Sequence, residues 1–191
     1  MRPIVLTAVA SLALVSAGCK KEPSSADLNA ANELNAAANS MATTAPVAGP
    51  ALGSADFANA IAGGGRFEIE SAALAATKAT SADLKTLAAS IAADHKAAGE
   101  ELKAAADAST PSFTPLASLN AKQKADLEAL KAAGANFDSV YVAQQIAAHQ
   151  EAVGVLTSYA AGGASPQLQA FAAKVLPTVQ GHLDKLNALP K

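Results

Sequence analysis

Large apolar residues recur along this chain at three- and four-residue intervals, and the intervals mark four long helices. The segment from Phe137 to Tyr159 carries the pattern most fully. Advancing about 100° per residue, Phe137, Tyr141, Ala148, Ala152, Leu156 and Tyr159 form one stripe, and Val142, Ile146 and Val153 widen one flank. A face this broad suits a helix buried among several partners. His149 lies near the middle of the stripe, where an apolar residue is expected; Gln145, one turn earlier, shares the face, and Glu151 points away.

The first helix is expected from Ser54, read as its N-cap, to about Thr77, with Phe57, Ile61, Phe67, Ile69 and Leu74 as its apolar residues. Gly63-Gly64-Gly65 interrupts it. Each glycine costs a helix about 1 kcal/mol relative to alanine, so the triplet predicts a kink, a break or the close approach of a neighbouring backbone. Thr80 to Asp83 supplies a capping-box-like start for a second helix, and Leu84, Leu87, Ile91, Ala98 and Leu102 carry it to about Ala108. So short a connection forces an antiparallel hairpin. After a loop over Ser109 to Pro115, a shorter helix with Leu127 and Leu130 spans about Asn120 to Ala133, and Gly134 closes it.

Gly162-Gly163 stops the Phe137 helix, and Ser165-Pro166 starts the last one. Its stripe is Leu168, Phe171, Val175, Val179, Leu183 and Leu186, ending near Leu189, and Pro177 in its interior should bend it. No strand pattern, internal repeat or nucleotide-binding glycine loop interrupts this reading. The expected fold class is all-α: four long helices in two antiparallel hairpins, joined through one short helix.

Ahead of these helices the pattern changes twice. Met1 to Gly18 has a basic start at Arg2, an apolar run from Pro3 to Val15 too short to span a bilayer, and small residues before Cys19, which is the anatomy of a signal peptide. VSAGC resembles the lipobox of bacterial lipoproteins, whose cysteine is lipid-modified and becomes the new N-terminus; Ser16 stands where such families usually carry leucine. Lys20 rather than aspartate follows the cysteine, which resembles lipoproteins sent to the outer membrane. Residues 20–53, rich in Ala, Asn, Ser, Thr and Pro, read as a flexible tether. The domain plan is therefore a signal peptide over 1–18, a lipid-anchored linker over 19–53 and a helical domain over 54–191. The membrane, reached through lipid on Cys19, is the expected partner, and the periplasmic face of the outer membrane the expected address.

Composition supports helices packed closely through small side chains: 51% of residues are apolar, but only 4% are aromatic and there is no tryptophan. The formal charge of −2 becomes −3 once a signal segment containing Arg2 is removed, 13 basic residues facing 16 acidic ones. With no Lys/Arg cluster, nucleic acid is not a partner class for this chain. A single cysteine leaves no internal disulfide and no cysteine-based metal site in the helical domain.

The three histidines fall on three different long helices, each inside its stripe. His95 lies within about 20° of Leu84 and Leu102 in helical phase, and His182 falls between Phe171 and Val175. Glu68 joins them from the first helix, in phase with Phe57 and Ile61 if that helix continues through the glycines. Counted along antiparallel hairpins at about 1.5 Å per residue, all four reach nearly one level. Two readings compete for this layer. In one, each imidazole is neutral and donates to a backbone carbonyl, to Gln145, to Tyr141 or to Glu68, as buried polar groups require. In the other, Glu68, His95, His149 and His182 hold one transition-metal ion, with zinc, copper, iron and manganese all allowed by nitrogen and oxygen donors, and with Gln145 and Tyr141 as outer partners. A di-iron centre is excluded, because Ala92, Ile146 and Val179 stand where the Glu-x-x-His motif needs glutamate. Asp94 and Asp138, at a stripe edge and near a helix end, read as solvated or capping residues.

From about Phe57 to Leu189 the chain resembles the bacterial domain-of-unknown-function family 4142, which is grouped with ferritin-like bundles. The resemblance rests on EIESAALA from Glu68, ADHKAAGEEL from Ala93, FDSVYVAQQIAAHQEAV from Phe137 and LPTVQGHL from Leu176. It implies a ferritin-like four-helix bundle, secreted or lipid-anchored, with Glu68, His95, His149 and His182 as inward polar positions. The expected function is an envelope lipoprotein whose helical domain binds one metal ion, with binding favoured over catalysis. The alternatives are a mononuclear metalloenzyme acting on a reactive oxygen species, or a structural layer that fixes helix register.

Overall fold

The computed structural model describes residues 52–189; the signal segment, Cys19 and most of the tether lie outside the described residues. The fold is all-α. Four long helices, α1 (Ser54–Lys78), α2 (Ala82–Asp107), α4 (Phe137–Gly162) and α5 (Pro166–Ala188), accompany the short α3 (Ala121–Ala132) and one 3-10 turn over Gly134–Asn136. There is no strand among the described residues.

Helices α1 and α2 form one hairpin, α4 and α5 the other, and the hairpins meet through α1 against α4 and α2 against α5. Side-chain contacts fix the directions. Phe57 at the start of α1 stacks on Tyr159 near the end of α4, with ring centroids 3.8 Å apart. Ser109, just after α2, shares a 2.8 Å hydroxyl hydrogen bond with Ser165, just before α5. Neighbouring long helices therefore run antiparallel all round the ring. The crossover from α2 to α4 returns the chain along the length of the domain, and α3 packs over the groove between α1 and α4. Leu127 and Leu130 anchor α3 in the cluster that holds Phe67 and Phe137.

Local signals explain most boundaries. Ser81 caps α2, accepting from Leu84 N–H, and Asn120 with Gln123 forms a reciprocal capping box on α3. Gly134, at φ +54°, adopts the left-handed conformation that ends α3. Asp138 caps a helix other than its own: its carboxylate accepts from the backbone N–H groups of Thr80 and Ser81 and from the Thr80 hydroxyl, at 2.6 to 3.2 Å. That places negative charge at the positive end of α2.

Two expectations change and a third is narrowed. Gly53, not Ser54, occupies the N-cap of α1; Ser54 is already helical, and its hydroxyl accepts a hydrogen bond from Tyr159. Ile69 and Leu74 are only half-buried, because Glu68, Ser71, Ala72 and Ala75 take the inward positions of that stretch. Helix α1 runs unbroken through the glycine triplet, and α5 runs unbroken through Pro177. Of the three outcomes open at the triplet, the structure takes close approach. A Cβ on Gly63 would stand 2.6 Å from the carbonyl oxygen of Ser118, whereas one on Gly64 would meet nothing within 4 Å. The crossover loop seats here, with Leu116 N–H donating to Asn59 Oδ1 at 2.7 Å.

The two positions therefore respond in opposite directions to alanine. Gly64→Ala is expected to stabilise the protein by about 0.5–1 kcal/mol through helix propensity. Gly63→Ala must displace the crossover loop and is expected to destabilise it. Urea denaturation of both variants measures the sign of each.

Candidate metal centre

The inward stripes of α2, α4 and α5 are each interrupted by a histidine, and on α4 also by the fully buried Gln145 one turn earlier. On α4, His149 lies between Tyr141, in the apolar cluster around Phe137, and Leu156, in the cluster around Phe57. His95 lies between Ile91 and Leu102 on α2, and His182 between Val179 and Leu186 on α5, so apolar layers flank the imidazoles on both sides. Ring centroids are 5.5, 5.8 and 5.9 Å apart for the three pairs. One nitrogen from each ring lies within 4.8 Å of the other two.

Hydrogen bonding decides which nitrogens are free. His149 Nδ1 lies 2.9 Å from the backbone carbonyl of Gln145, which can only accept, so Nδ1 carries the proton. His182 Nε2 lies 2.8 Å from Asp94 Oδ2, and the same logic places its proton there. The nitrogens left buried without a partner are His149 Nε2, His182 Nδ1 and His95 Nε2. In the neutral ring the free nitrogen of His149 or His182 is a lone pair, held in direction by an outward bond from the other side of the ring. Metal-binding histidines are oriented in this way, one nitrogen tied to a carbonyl or carboxylate and the other left for the ion.

Burial also fixes the charge state. It pushes His95 down to about 3, with the neighbouring rings of His149 and His182 adding to the effect and Asp94 opposing it. Burial likewise lowers His149 to about 4, against the Gln145 carbonyl bond, which favours the charged ring. At neutral pH both are uncharged, which is the form that donates a lone pair.

Glu68 is buried in the same region but stands apart from the three-nitrogen cluster. Its Oε1 is 3.8 Å from His149 Nδ1, the nitrogen already committed to Gln145. Burial pushes its carboxyl up to about 8, partly offset by the Gln145 side chain. With Glu68 protonated and His149 neutral, their contact is not an ion pair. Gln145 orients His149 through its backbone, while its side-chain amide donates to Ser71 Oγ at 3.0 Å. Tyr141 packs in the Phe137 cluster and makes no hydrogen bond to an imidazole.

Two participants escaped the sequence reading. Ser71, fully buried, ties Gln145 to α1. Asp94, read as solvated, is half-exposed and also holds His182. Its position next to His95 was visible, but only the packing of α2 on α5 shows that it reaches the last helix. A cavity of about 240 Å³ adjoins the centre, lined by the three imidazoles, Glu68 and apolar side chains including Ile61 and Val175.

A family model described as a domain of unknown function, DUF4142, matches residues 27–189. The chain belongs to the DUF4142 family. The match begins within the segment read as a tether. The chain matches no curated protein sequence. Among solved structures, this DUF4142 chain is similar to CopM in the Cu(I)-bound form, with 23% identity and a TM-score of 0.60 over 71% of this chain and 94% of that one. CopM in the Cu(II)-bound form gives 22% identity and a TM-score of 0.62, over 72% and 95%. A DUF305 fragment from Deinococcus radiodurans gives 14% identity and a TM-score of 0.60, over 73% and 96%. At these identities the likeness establishes the helical fold.

The shifted groups set a pH profile for the metal-free protein. Between about pH 4.5 and 6.5 the unfolded chain binds protons on His95 and His149 that the native state lacks, while native Glu68 keeps one that the unfolded chain has lost. The unfolded state then holds one more proton in net, so stability rises with pH. From about pH 6.5 to 8 only the Glu68 difference remains, the native state holds the extra proton, and stability falls. Urea midpoints across this range should therefore peak near pH 6.5, and Glu68→Gln should abolish the decline above the peak while leaving the rise below it.

Proposed function

We propose that this DUF4142 protein is a metal-binding envelope lipoprotein that holds one transition-metal ion on His95, His149 and His182. The observation that carries the reading is the convergence of three buried, unpartnered imidazole nitrogens from three helices. Leaving such groups unpaired costs about 1–3 kcal/mol each, and a bound ion would offset that cost at all three.

The donor set favours copper among the four metals considered. It is all nitrogen, with Glu68 outside it, which suits copper or zinc better than manganese. Copper(II) stands highest in the affinity order for such sites. The similarity to CopM, solved with Cu(I) and with Cu(II), supports the same choice. Binding is favoured over catalysis, because the two carboxyl groups beside the imidazoles are already committed: Asp94 holds His182 Nε2 at 2.8 Å, and Glu68 is buried against the bonded nitrogen of His149. When bound, the ion would supply a Lewis-acidic, redox-capable centre; the chain's own residues orient the ligands and shield them from water.

The arrangement of helices supports a ferritin-like four-helix bundle, since two antiparallel hairpins joined by one crossover is the connectivity of that class. The ligands do not follow that class. The VSAGC segment supports lipid attachment at Cys19 and exposure to the periplasm from the outer membrane.

Elemental analysis of protein purified without an affinity tag tests the metal reading. One copper per chain is expected, lost in His149→Ala, and Asp94→Ala should weaken binding by about 10- to 100-fold by releasing His182. No ion bound after incubation with copper, zinc, iron and manganese overturns the site and leaves the layer as a register device. For the anchor, metabolic labelling with an alkyne fatty acid should mark the wild type in the membrane fraction. Cys19→Ala should lose both the label and the membrane association, and an unlabelled wild type overturns the anchor.

A further inference from the structure

A second cavity meets His95 from the α1–α2 side, lined also by Thr114, Pro115 and Ala117 of the crossover loop; the cavity beside all three imidazoles reaches exposed residues on two other sides, which are built differently. Towards α1 and α4 it is walled in part by the first turns of α3, where Asn120, Lys122, Gln123 and Asp126 line it, with the exposed Ala60 and Glu151 beyond them. That helix is strapped in place: Gln144 Nε2 on α4 donates to the Asp126 carbonyl at 3.1 Å, and Lys78 Nζ on α1 donates to the Lys131 carbonyl at 3.1 Å. Towards α2 and α5 the lining residues are Asp94, Ala97, Glu101, Lys174 and Thr178, which belong only to those two helices. Among the described residues no fifth element packs along this groove.

The open groove is one place where the centre comes near solvent. The Asp94 carboxylate is 47% exposed, while the ring it holds, His182, is 3% exposed. One side chain thus reaches from water to a buried ligand. At the rim, Glu101 is paired with Lys174 at 2.8 Å, both of them at least partly exposed, so an acidic entrance carries a single cation across it.

Resting on the metal reading above, we propose that the ion enters and leaves through the α2–α5 groove, past Asp94, and that α3 narrows the opposite side. A cation in water meets the Asp94 and Glu101 carboxylates first, and moves past Asp94 to the unpartnered Nδ1 of the ring that Asp94 holds by Nε2. Lys174 opposes the approach by its charge and by occupying Glu101. The route concerns the barrier between solution and site. A steric block in it slows entry and exit alike, and leaves the equilibrium between them unchanged.

The test uses bulky residues at the two rims, at exposed helix positions that touch none of the imidazoles. Ala97 lines the open groove and Ala60 the covered side. Uptake of copper(II) is followed by quenching of tyrosine fluorescence in a stopped-flow instrument, and release by competition with a chelator. Ala97→Phe should slow both rates on the order of tenfold while leaving Kd within about twofold, and Ala60→Phe should change neither rate by more than about twofold. Lys174→Ala should speed uptake by about threefold at low ionic strength, an effect that fades at high salt. If Ala60→Phe blocks and Ala97→Phe does not, or if neither alters the rates, the route is overturned while the site stands. If the wild type binds no copper at equilibrium, the metal reading itself fails, and the route with it.

Discussion

Three imidazoles can share one level of a narrow helical core only if positive charge does not build up on them together, and much of the domain is arranged to meet that requirement. Charged rings 5.5 to 5.9 Å apart would repel one another in a medium that solvates them poorly. Apolar clusters on both sides exclude water, and the resulting desolvation holds His95 and His149 neutral. Small side chains make the narrowness possible. Ala58, Ala72, Ala75, Ala88, Ala106 and Ala172 are all buried, letting the helices approach closely enough for rings from three of them to meet. The alanine-rich composition is thus tied directly to the geometry of the centre.

The helices and their inward faces were legible because both depend on local spacing. Leu168, Phe171, Val175, Val179, Leu183 and Leu186, one stripe in the sequence, are all buried in α5. The inward placement of Glu68, His149 and His182 followed from the same phase reading. What phase could not supply was the direction of each side chain across a helix pair. Asp94 was assigned to solvent because the helix it reaches lies 88 residues further along the chain. Glu68 was grouped with the histidines because it shares their level, yet it faces the committed nitrogen of His149 rather than the free one. At Gly63 the cost of the glycines was readable, but the reason for it, the Ser118 carbonyl, comes from a loop 55 residues away in sequence.

Two antiparallel hairpins joined by one crossover show architecture and chemistry as separate matters. A layout of this kind can carry carboxylate-rich di-iron centres; here the buried carboxyl of α1 stands apart from a cluster of three imidazoles on the other long helices. Fold and function are specified at different positions of one scaffold. Ser71 and Gln145 illustrate the division, since they join α1 to α4 beside the centre without offering it a ligand.

The Asp138 cap makes the chain a ruler. By binding the Thr80 and Ser81 amides, Asp138 pins the start of α4 to the start of α2. His149 then stands 11 residues from that pin on one helix and His95 14 residues from Ser81 on the other, about 16 and 21 Å along the axes. A single inserted or deleted residue in either interval would move its ring by about 1.5 Å and swing it through about 100°, out of reach of the other two. Side chains in those intervals are free to vary wherever they face water, but the number of residues is not: the separation is a dimension of the centre itself.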